Sequence, residues 1–350
     1  MRIFDKLDCD FTKNVNLIFG ENGKGKTTIL EAIHMLSLSK SFRPGAKQNV
    51  IKQGKNSFSL ASEITTSNNQ KTKITYNIFK GQKRIKINDK QIERISDLVG
   101  VFPVVIMSPE DADIISGHPQ ARRNYINKLF SVIDKNYLYI LQQYTKALRQ
   151  KRETLFYNDE KQLEAWNHQM AIYGTKIWEK RNQYTLLLQK KFNSVWEELE
   201  PKTHAEIQFI SSSTKSEEEF IGMLKKMSKK EKEVKRALFG PHTDKLKFIY
   251  KNKSLKDFGS HGEKKILLSA LKLAEAKLIK EKTTITPVVL MDDLFAKLDK
   301  RRSIAILKMA SKHNQVFITT TDSQAGKLIA SESNKVTYFH LDKDLRCYEA

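Results

Sequence analysis

The chain has 350 residues, and 62 lysines and arginines against 40 aspartates and glutamates give it a formal net charge of +22. This length exceeds what one hydrophobic core usually supports, so we expect two domains or one domain with a large insertion. No apolar run approaches the roughly 18 residues needed to cross a bilayer, and no signal-peptide pattern opens the chain. The two cysteines, Cys9 and Cys347, are too few for a disulfide framework, and a reducing cytoplasm is expected.

The excess of positive charge is larger than solubility requires and indicates a polyanionic partner. The basic residues are spread through mixed-charge segments and form no amphipathic anchor, which favours nucleic acid over a membrane surface. A lysine-biased genome is the alternative explanation, and it requires no partner.

The spacing of apolar residues changes twice along the N-terminal half. Residues 15–19 are an apolar, β-prone run that ends in a glycine-rich loop, and residues 28–38 then show helical spacing. Residues 58–92 alternate between polar and apolar, which predicts antiparallel hairpins. Residues 120–199 show long helical periodicity with aromatic residues, which we interpret as core or inter-helix packing, with base stacking as the less favoured alternative.

The C-terminal half predicts a return to α/β structure. A basic stretch at 225–236 is interpreted as a solvated helix face. After Ser254 we predict helices at 262–280 and 300–312 and strands at 288–291, 316–320 and 336–341. The resulting domains are a head formed by 1–118 and 236–350 and a helical insertion formed by 119–235.

The glycine-rich loop reads Gly-Glu-Asn-Gly-Lys-Gly-Lys-Thr and satisfies G-x-x-x-x-G-K-[ST] between a strand and a helix. Its glycines let backbone N–H groups face phosphates, and the helix start adds positive potential. Lys26 is predicted to reach the β- and γ-phosphates of ATP during catalysis, and the Thr27 hydroxyl to coordinate Mg²⁺. The predicted nucleotide contacts are Gly20, Glu21, Asn22, Gly23, Lys24, Gly25, Lys26, Thr27 and Thr28.

The apolar run at 288–291 ends in two carboxylates. A P-loop requires an acid at the end of a neighbouring strand, so Asp292 is predicted to hold Mg²⁺ through water. Asp293 lies where a general base orients the attacking water. The alternative is a strand-end pair that caps the next turn.

Ser260 and Glu263 form an S-x-x-E capping box before an apolar helix, which is a structural interpretation. A helix start with Ser and Gly is also an anion site, and its place shortly before the Asp292 strand is typical of the signature motif of ABC-type ATPases. Both interpretations hold together. Asp299 then lies at the distance of a D-loop, and Thr321 ends the next strand at the position of a switch residue.

The order of these motifs resembles the RecF family of bacterial recombination mediators. The pair formed by Gly-Pro-His-x-Asp and Phe-Gly-Ser is the most specific part, because very many ATPases share the other motifs. The matching stretches are the P-loop with Leu30-Glu31-Ala32-Ile33, Ser41-Phe42-Arg43, residues 108–111 with Arg122-Arg123, residues 144–155, residues 240–244, residues 258–260 and residues 316–322.

The resemblance implies an α/β fold, a P-loop ATPase head of the ABC/SMC type with a β-hairpin subregion and an inserted α-helical second domain. It implies an ATP-induced homodimer in which Ser260 and Gly262 of one subunit contact the γ-phosphate held by the other. The family's dimer clamps double-stranded DNA near single-stranded gaps, assists RecA loading with RecR and RecO, and releases DNA on hydrolysis.

Three features depart from the family pattern. The opening strand and the Asn-Phe-Arg stretch expected ahead of Arg2 are missing. Glu263 stands where Gln is usual, and Ala296 where Ser is usual. A carboxylate beside a γ-phosphate repels it unless it turns back into the capping box. These departures leave ATP binding expected and the hydrolysis rate open.

Five residues are candidate DNA contacts by charge, each with an intramolecular pair as the alternative. They are Arg43, Arg122, Arg123, Lys229 and Lys230.

Other functions compete with the DNA-repair ATPase. The hairpins, the insertion and the charge disfavour a transporter subunit, and a related nuclease is disfavoured because no further acidic cluster follows Asp293. A non-hydrolysing scaffold that uses ATP only to dimerise stays open.

Overall fold

The computed structural model describes residues 1–43, 45, 50–65, 70–157, 159–293, 298–321 and 336–341, together with the backbone of 347–349. The predicted D-loop residue Ala296 and residue Asp322 lie outside this part of the chain. Within it, no helix combines the length and the apolar character that crossing a membrane requires.

The elements are numbered here in chain order. The strands are β1 Val15–Phe19, β2 Ser57–Thr65, β3 Lys71–Phe79, β4 Gln82–Ile87, β5 Lys90–Gln91, β6 Val104–Met107, β7 Ala205–Ile210, β8 Lys245–Tyr250, β9 Lys253–Ser254, β10 Val288–Asp292, β11 Val316–Thr320, β12 Val336–Leu341 and β13 Cys347–Glu349. The helices are α1 Lys26–Leu38, α2 Ala112–Ser116, α3 Pro119–Ile133, α4 Lys135–Tyr157, α5 Glu160–Leu199, α6 Glu217–Val234, α7 Leu255–Phe258, α8 His261–Thr283 and α9 Lys300–Ser311.

A six-stranded sheet in the order β13-β12-β1-β11-β10-β6 forms the centre of the head. Its neighbours pair in parallel except for β12 and β13, which are antiparallel. Every residue of β6 and β10 is buried, as expected for parallel strands that are covered on both faces. The predicted strands at 15–19, 316–320 and 336–341 are confirmed, and β10 is one residue longer than predicted.

The predicted hairpins are confirmed as a second, antiparallel sheet in the order β2-β3-β4-β5. Its inward side chains, among them Ile74, Tyr76 and Ile85, form one core with Ile29 and Leu30 of α1. This sheet therefore packs on the helix that follows the P-loop and supports one face of it.

The helices predicted in 120–199 are confirmed as α3, α4 and the 40-residue α5. Trp178 is 1% exposed and Trp196 is 3% exposed, so the interpretation as packing is confirmed for these two residues. Tyr139 and Tyr157, at 53% and 84% exposed, depart from it.

Strand β7 was missed, because the sequence analysis expected only helices in 119–235. It pairs antiparallel with β8, which in turn pairs with β9. The β7–β8 pairing crosses the predicted domain limit at residue 235, so this small sheet joins the insertion to the head.

Candidate nucleotide site

The register of the central sheet places three strand ends at one edge. Phe19, the last residue of β1, lies opposite Thr320, and Asp292, the last residue of β10, lies opposite Thr319. The P-loop leaves β1 at this edge. The predicted phosphate loop and the predicted acidic strand end are therefore neighbours.

The P-loop contains three glycines at positive φ: 152° at Gly20, 79° at Gly23 and 95° at Gly25. Two of these positions also lack room for a side chain. A Cβ on Gly25 would lie 2.6 Å from the ring of Phe4, and one on Gly20 would lie 2.6 Å from the carbonyl oxygen of Leu341. The loop path therefore requires glycine for both conformational and steric reasons.

Lys26 lies across the loop with its side chain buried. Its Nζ donates to the carbonyl oxygens of Gly20 at 2.8 Å and Glu21 at 2.9 Å. Burial lowers the pKa of the ammonium, while the negative charges of Asp293 and Asp292 oppose that shift. A cation held this way is poised to exchange carbonyl oxygens for phosphate oxygens.

Two hydroxyl groups converge on one oxygen of Asp292. The hydroxyls of Thr27 and Thr319 donate to its Oδ1 at 2.9 Å and 2.7 Å. The carboxylate is 6% exposed and Thr319 is 2% exposed, so this contact is sheltered from water. The predicted pairing of Thr27 with Asp292 thus has a geometric basis, and Thr319 is a third member, which the sequence analysis placed in the stretch at 316–322 without a role of its own.

Asp293 follows at the strand end with a left-handed φ of 47°. Its backbone N–H donates to the Thr319 hydroxyl at 3.2 Å, and its side chain is exposed. Thr319 therefore positions both acids: it donates to the first and accepts from the backbone of the second.

A cleft of about 730 Å³ opens in front of these groups. The predicted residues in its wall are Asn22, Gly23, Gly25, Lys26, Thr27, Thr28, Asp292, Asp293 and Thr321, joined by Arg2 and Arg43. Gly20, Glu21 and Lys24 complete the loop behind it. A nucleotide-sized ligand fits this volume.

The sequence analysis assigned no role to Glu31 of α1, which holds side chains in place at the cleft entrance. It is fully buried and accepts hydrogen bonds from both the Arg2 guanidinium and the Ser41 hydroxyl. The Ser41 oxygen in turn accepts the backbone N–H of Arg43 at 3.0 Å. This chain of contacts places Arg43, a DNA candidate by charge, in the wall of the nucleotide cleft.

The capping box at the start of α8 is confirmed. The Ser260 N–H donates to Glu263 Oε2 at 2.8 Å, and the Glu263 N–H donates to Ser260 Oγ at 3.2 Å. The backbone hydrogen bond from Ser260 lowers the pKa of Glu263. The Glu263 carboxylate is thus turned back onto the start of α8, the arrangement in which the sequence analysis expected no repulsion of a γ-phosphate.

Ser260, Gly262 and Asp299 are not part of the described cleft wall. Ser260 is exposed at the helix start, and Asp299 caps α9 by accepting the N–H of Arg302 at 3.0 Å.

The DNA candidates in α3 need correction. Arg122 is only 8% exposed, and its Nη1 donates to the carbonyl oxygens of Ile114, Ile115 and Gly117 at the end of α2. This guanidinium is committed to the protein interior, so Arg122 is not a surface contact. Arg123 is half-buried and donates to the Asp244 carbonyl oxygen at 3.1 Å.

The family-specific stretch at 240–244 forms a joint between the helical insertion and the head. Asp244 forms a buried ion pair with Arg181 and accepts the indole N–H of Trp178 at 2.9 Å. His242 Nδ1 lies 2.7 Å from the Tyr144 hydroxyl. These residues build structure, and the sequence analysis had given them no role.

The donor set suits Mg²⁺, which prefers oxygen ligands and keeps several waters. Thr27 and Asp292 supply a hydroxyl and a carboxylate at the cleft wall, and they would hold the ion. Among the described residues there is no cluster of three or more His, Cys, Asp or Glu.

A family model described as the RecF/RecN/SMC N terminal domain matches residues 2–340. A DNA replication and repair protein RecF from Bacillus thuringiensis (strain Al Hakam) is 32% identical over 335 residues, which cover 91% of this chain and 89% of that protein. A protein of the same name from Flavobacterium johnsoniae is 32% identical over 342 residues, or 95% of this chain and 94% of that protein.

Solved structures agree with these matches. A structure of the recombination mediator protein RecF with ATP in the RecFOR pathway gives a TM-score of 0.89 at 29% identity, covering 100% of this chain and 95% of that one. An Smc head domain from Pyrococcus furiosus gives a TM-score of 0.56 at 15% identity, covering 99% of this chain and 92% of that one. The latter shows the fold alone.

Fold and site together define a P-loop ATPase head of the ABC/SMC type, and the predicted fold class is confirmed. The chain belongs to the RecF/RecN/SMC N-terminal domain family, and to its RecF branch.

Proposed function

We propose that the chain is an ATP-dependent DNA-binding protein of recombinational repair and replication. An ATP-induced homodimer clamps double-stranded DNA near single-stranded gaps and assists RecA loading with RecR and RecO, and hydrolysis releases the DNA. The observation that carries this proposal is the convergence of Thr27 and Thr319 on Asp292 beside the P-loop. The RecF relatives supply the link to DNA repair.

The cleft residues have separate tasks in this proposal. Lys26 moves its ammonium from the Gly20 and Glu21 carbonyl oxygens to the phosphates and neutralises their charge. Thr27 and Asp292 would hold Mg²⁺, which would supply positive charge at the phosphate oxygens. Asp293 orients the attacking water. The hydrogen bond from its backbone N–H to the Thr319 hydroxyl holds the backbone from which this carboxylate extends.

The exposed helix start of α8 explains why two subunits are needed. Ser260 and Gly262 lie outside the described wall of their own subunit's cleft, at the N-terminus of α8, where the helix adds positive potential. A second copy brings them to the γ-phosphate. ATP then acts as the contact between subunits, and its hydrolysis removes that contact.

A non-hydrolysing scaffold is the second candidate, because Glu263 places a carboxylate in the signature motif. ATP turnover with and without DNA separates the two functions. We expect turnover that DNA stimulates; ATP-dependent dimers without turnover would favour the scaffold.

The first test is analytical ultracentrifugation of the wild type and Lys26→Ala in Mg-ATP, with and without a gapped duplex, over a salt series. We expect ATP-dependent dimers and salt-sensitive DNA binding in the wild type, and neither in the variant. A wild type that stays monomeric and does not bind DNA would overturn the proposal.

A further inference from the structure

Two consecutive aromatic side chains are exposed where α4 ends. Phe156 is 64% exposed and Tyr157 is 84% exposed. Other aromatic residues of this helix, Tyr137 and Tyr144, are 0% and 2% exposed. Tyr139 of the same helix is 53% exposed and lies edge-on to Tyr173 of α5, with ring centroids 6.5 Å apart. The two rings at the end of α4 are more exposed and adjacent in sequence, so we take them as a candidate interaction site.

The end of α6 is fixed beside this pair. Lys151 of α4 and Glu231 of α6 form a buried ion pair at 2.7 Å. Lys235 Nζ donates to the Leu155 carbonyl oxygen at 2.9 Å. Lys232 forms a second link, at 2.6 Å to Glu160 at the start of α5. The three helix ends thus form one surface, called here the arm tip and defined by Phe156, Tyr157 and Val234.

A basic face leads along α6 to the arm tip. It consists of Lys225, Lys226, Lys229 and Lys230, all of them exposed. These residues are spaced by four, so they line one side of the helix, and Lys230 continues to Val234 at the same spacing. Among the described residues none of the four lies in an ion pair, and Glu233 is the exposed carboxylate of this helix end.

Single-stranded nucleic acid is the ligand whose chemistry matches both the exposed aromatic pair and the basic face. Aromatic rings stack on unpaired bases, and lysines contact the backbone phosphates. The bases of a duplex are already stacked on each other, so a duplex would use the lysines alone. An acidic peptide would also use mainly the lysines, and two adjacent exposed rings favour the single strand.

We propose that the arm tip binds single-stranded DNA, with unpaired bases stacked on Phe156 and Tyr157 and the phosphates along the basic face. The proposal deepens the proposed function, on which it rests for the choice of DNA. It gives the single-stranded side of a gap a site of its own, separate from the nucleotide cleft.

The test measures fluorescence anisotropy of a single strand, a gapped duplex and a blunt duplex, with 2-aminopurine in the single-stranded part to report stacking. The variant is Phe156→Ser with Tyr157→Ser. The matched control is Phe79→Ser, because Phe79 is 60% exposed on the hairpin sheet. Phe156→Tyr with Tyr157→Phe keeps both rings and should restore binding.

We expect the double Ser variant to lose about tenfold or more in affinity for the single strand and the gapped duplex, together with the 2-aminopurine signal. Blunt-duplex affinity and ATP-dependent dimerisation should match the wild type, as should all properties of the Phe79 control. Substituting the four lysines by Gln should weaken single-strand binding and its salt dependence.

The outcomes for the site and for the clamp are separable. Wild-type single-strand affinity in the double Ser variant would overturn the arm-tip site and leave the clamp intact, pointing to a protein partner for this surface. A wild type that binds the single strand through the tip but no duplex would support the site and overturn the clamp. A wild type that binds no DNA would overturn both.

Discussion

At the scale of single residues, Thr319 is the least expected part of the cleft. Its hydroxyl donates to Asp292 at 2.7 Å and accepts the Asp293 N–H at 3.2 Å, so one oxygen ties together the two acids assigned to metal and water. The side chain is 2% exposed, so no bulk water replaces a lost contact.

We expect Thr319→Val to lower kcat for ATP by about tenfold to a hundredfold. It keeps the side-chain volume but removes one of the two hydroxyl donors to Asp292 Oδ1 and the acceptor of the Asp293 N–H, which costs about 1–3 kcal/mol. Steady-state hydrolysis and ATP affinity are the measurements. Thr319→Ser keeps the hydroxyl and is the control. Turnover of the Val variant at the wild-type rate would show that Thr319 does not position the acids.

The buried His242 makes the joint at 240–244 sensitive to pH. Burial lowers its pKa from 6.5 to about 4, the bond to the Ala237 carbonyl oxygen opposes the shift, and the nearby charges of Arg152, Lys151 and Arg123 add to it. The unfolded chain therefore binds more protons between those two values. Stability from this group is complete above pH 6.5 and is lost as the pH falls towards 4.

We expect this group to remove about 2 kcal/mol of unfolding free energy between pH 7.5 and pH 5. His242→Gln has an oxygen to accept the Tyr144 hydroxyl and an N–H group to donate, but it does not titrate. Urea unfolding of both proteins across this range measures the difference, since all other titrating groups are shared. Parallel pH profiles would contradict the assignment.

Charge alone did not reveal which arginines are buried, but periodicity contains that information. Arg122 stands at helical spacing with Tyr125, Ile126 and Leu129, all of which are buried in α3. Lys229 has no such neighbours and is exposed. The P-loop residues could be predicted because their spacing is fixed by phosphate geometry, whereas Thr319 and Glu31 act through contacts across distant parts of the chain.

At the scale of elements, the strands of the central sheet could be predicted because buried parallel strands are continuous apolar runs. Strand β7 has the alternation of a strand in Ala205, Ile207 and Phe209, but its six residues follow a 40-residue helix and its partner lies beyond α6, so it was missed. Its pairing depends on how α5 and α6 pack. No local pattern encodes that arrangement.

The buried ion pair between Lys151 and Glu231 holds α4 against α6. The two side chains are 1% and 2% exposed, and Glu231 also accepts the Leu238 N–H at 2.7 Å. We expect Lys151→Met to lower the unfolding free energy by about 3–5 kcal/mol, because it leaves an uncompensated buried carboxylate. Adding Glu231→Gln removes that charge and keeps an oxygen for Leu238.

The double variant should therefore recover most of the lost stability, measured by urea unfolding at neutral pH. Glu231→Gln alone is the second control. A double variant as unstable as Lys151→Met would show that packing, and not charge, is the cause.

At the scale of the whole molecule, the nucleotide cleft and the exposed start of α8 are two halves of one proposed site that a single chain does not unite. Ser260 lies outside the described wall of its own subunit's cleft, and Lys26 is buried within it. A sandwich dimer would pair each Lys26 with the Ser260 of the partner. A substitution that disables one half of the site on one chain and a substitution that disables the other half on its partner should then complement each other in a mixed dimer.

We expect Lys26→Ala and Ser260→Arg each to abolish ATP hydrolysis, and an equimolar mixture of the two variants to recover part of that activity. In the mixed dimer one site combines the Lys26 of the second variant with the Ser260 of the first and is intact, while the other site lacks both. Ser260→Asp keeps a capping oxygen but adds a carboxylate, so it separates loss of the helix cap, about 1 kcal/mol, from loss of phosphate contact. It should behave as Ser260→Arg does. An inactive mixture in which analytical ultracentrifugation shows ATP-dependent dimers would mean that the subunits do not share sites, and the exposed start of α8 would then serve the fold alone.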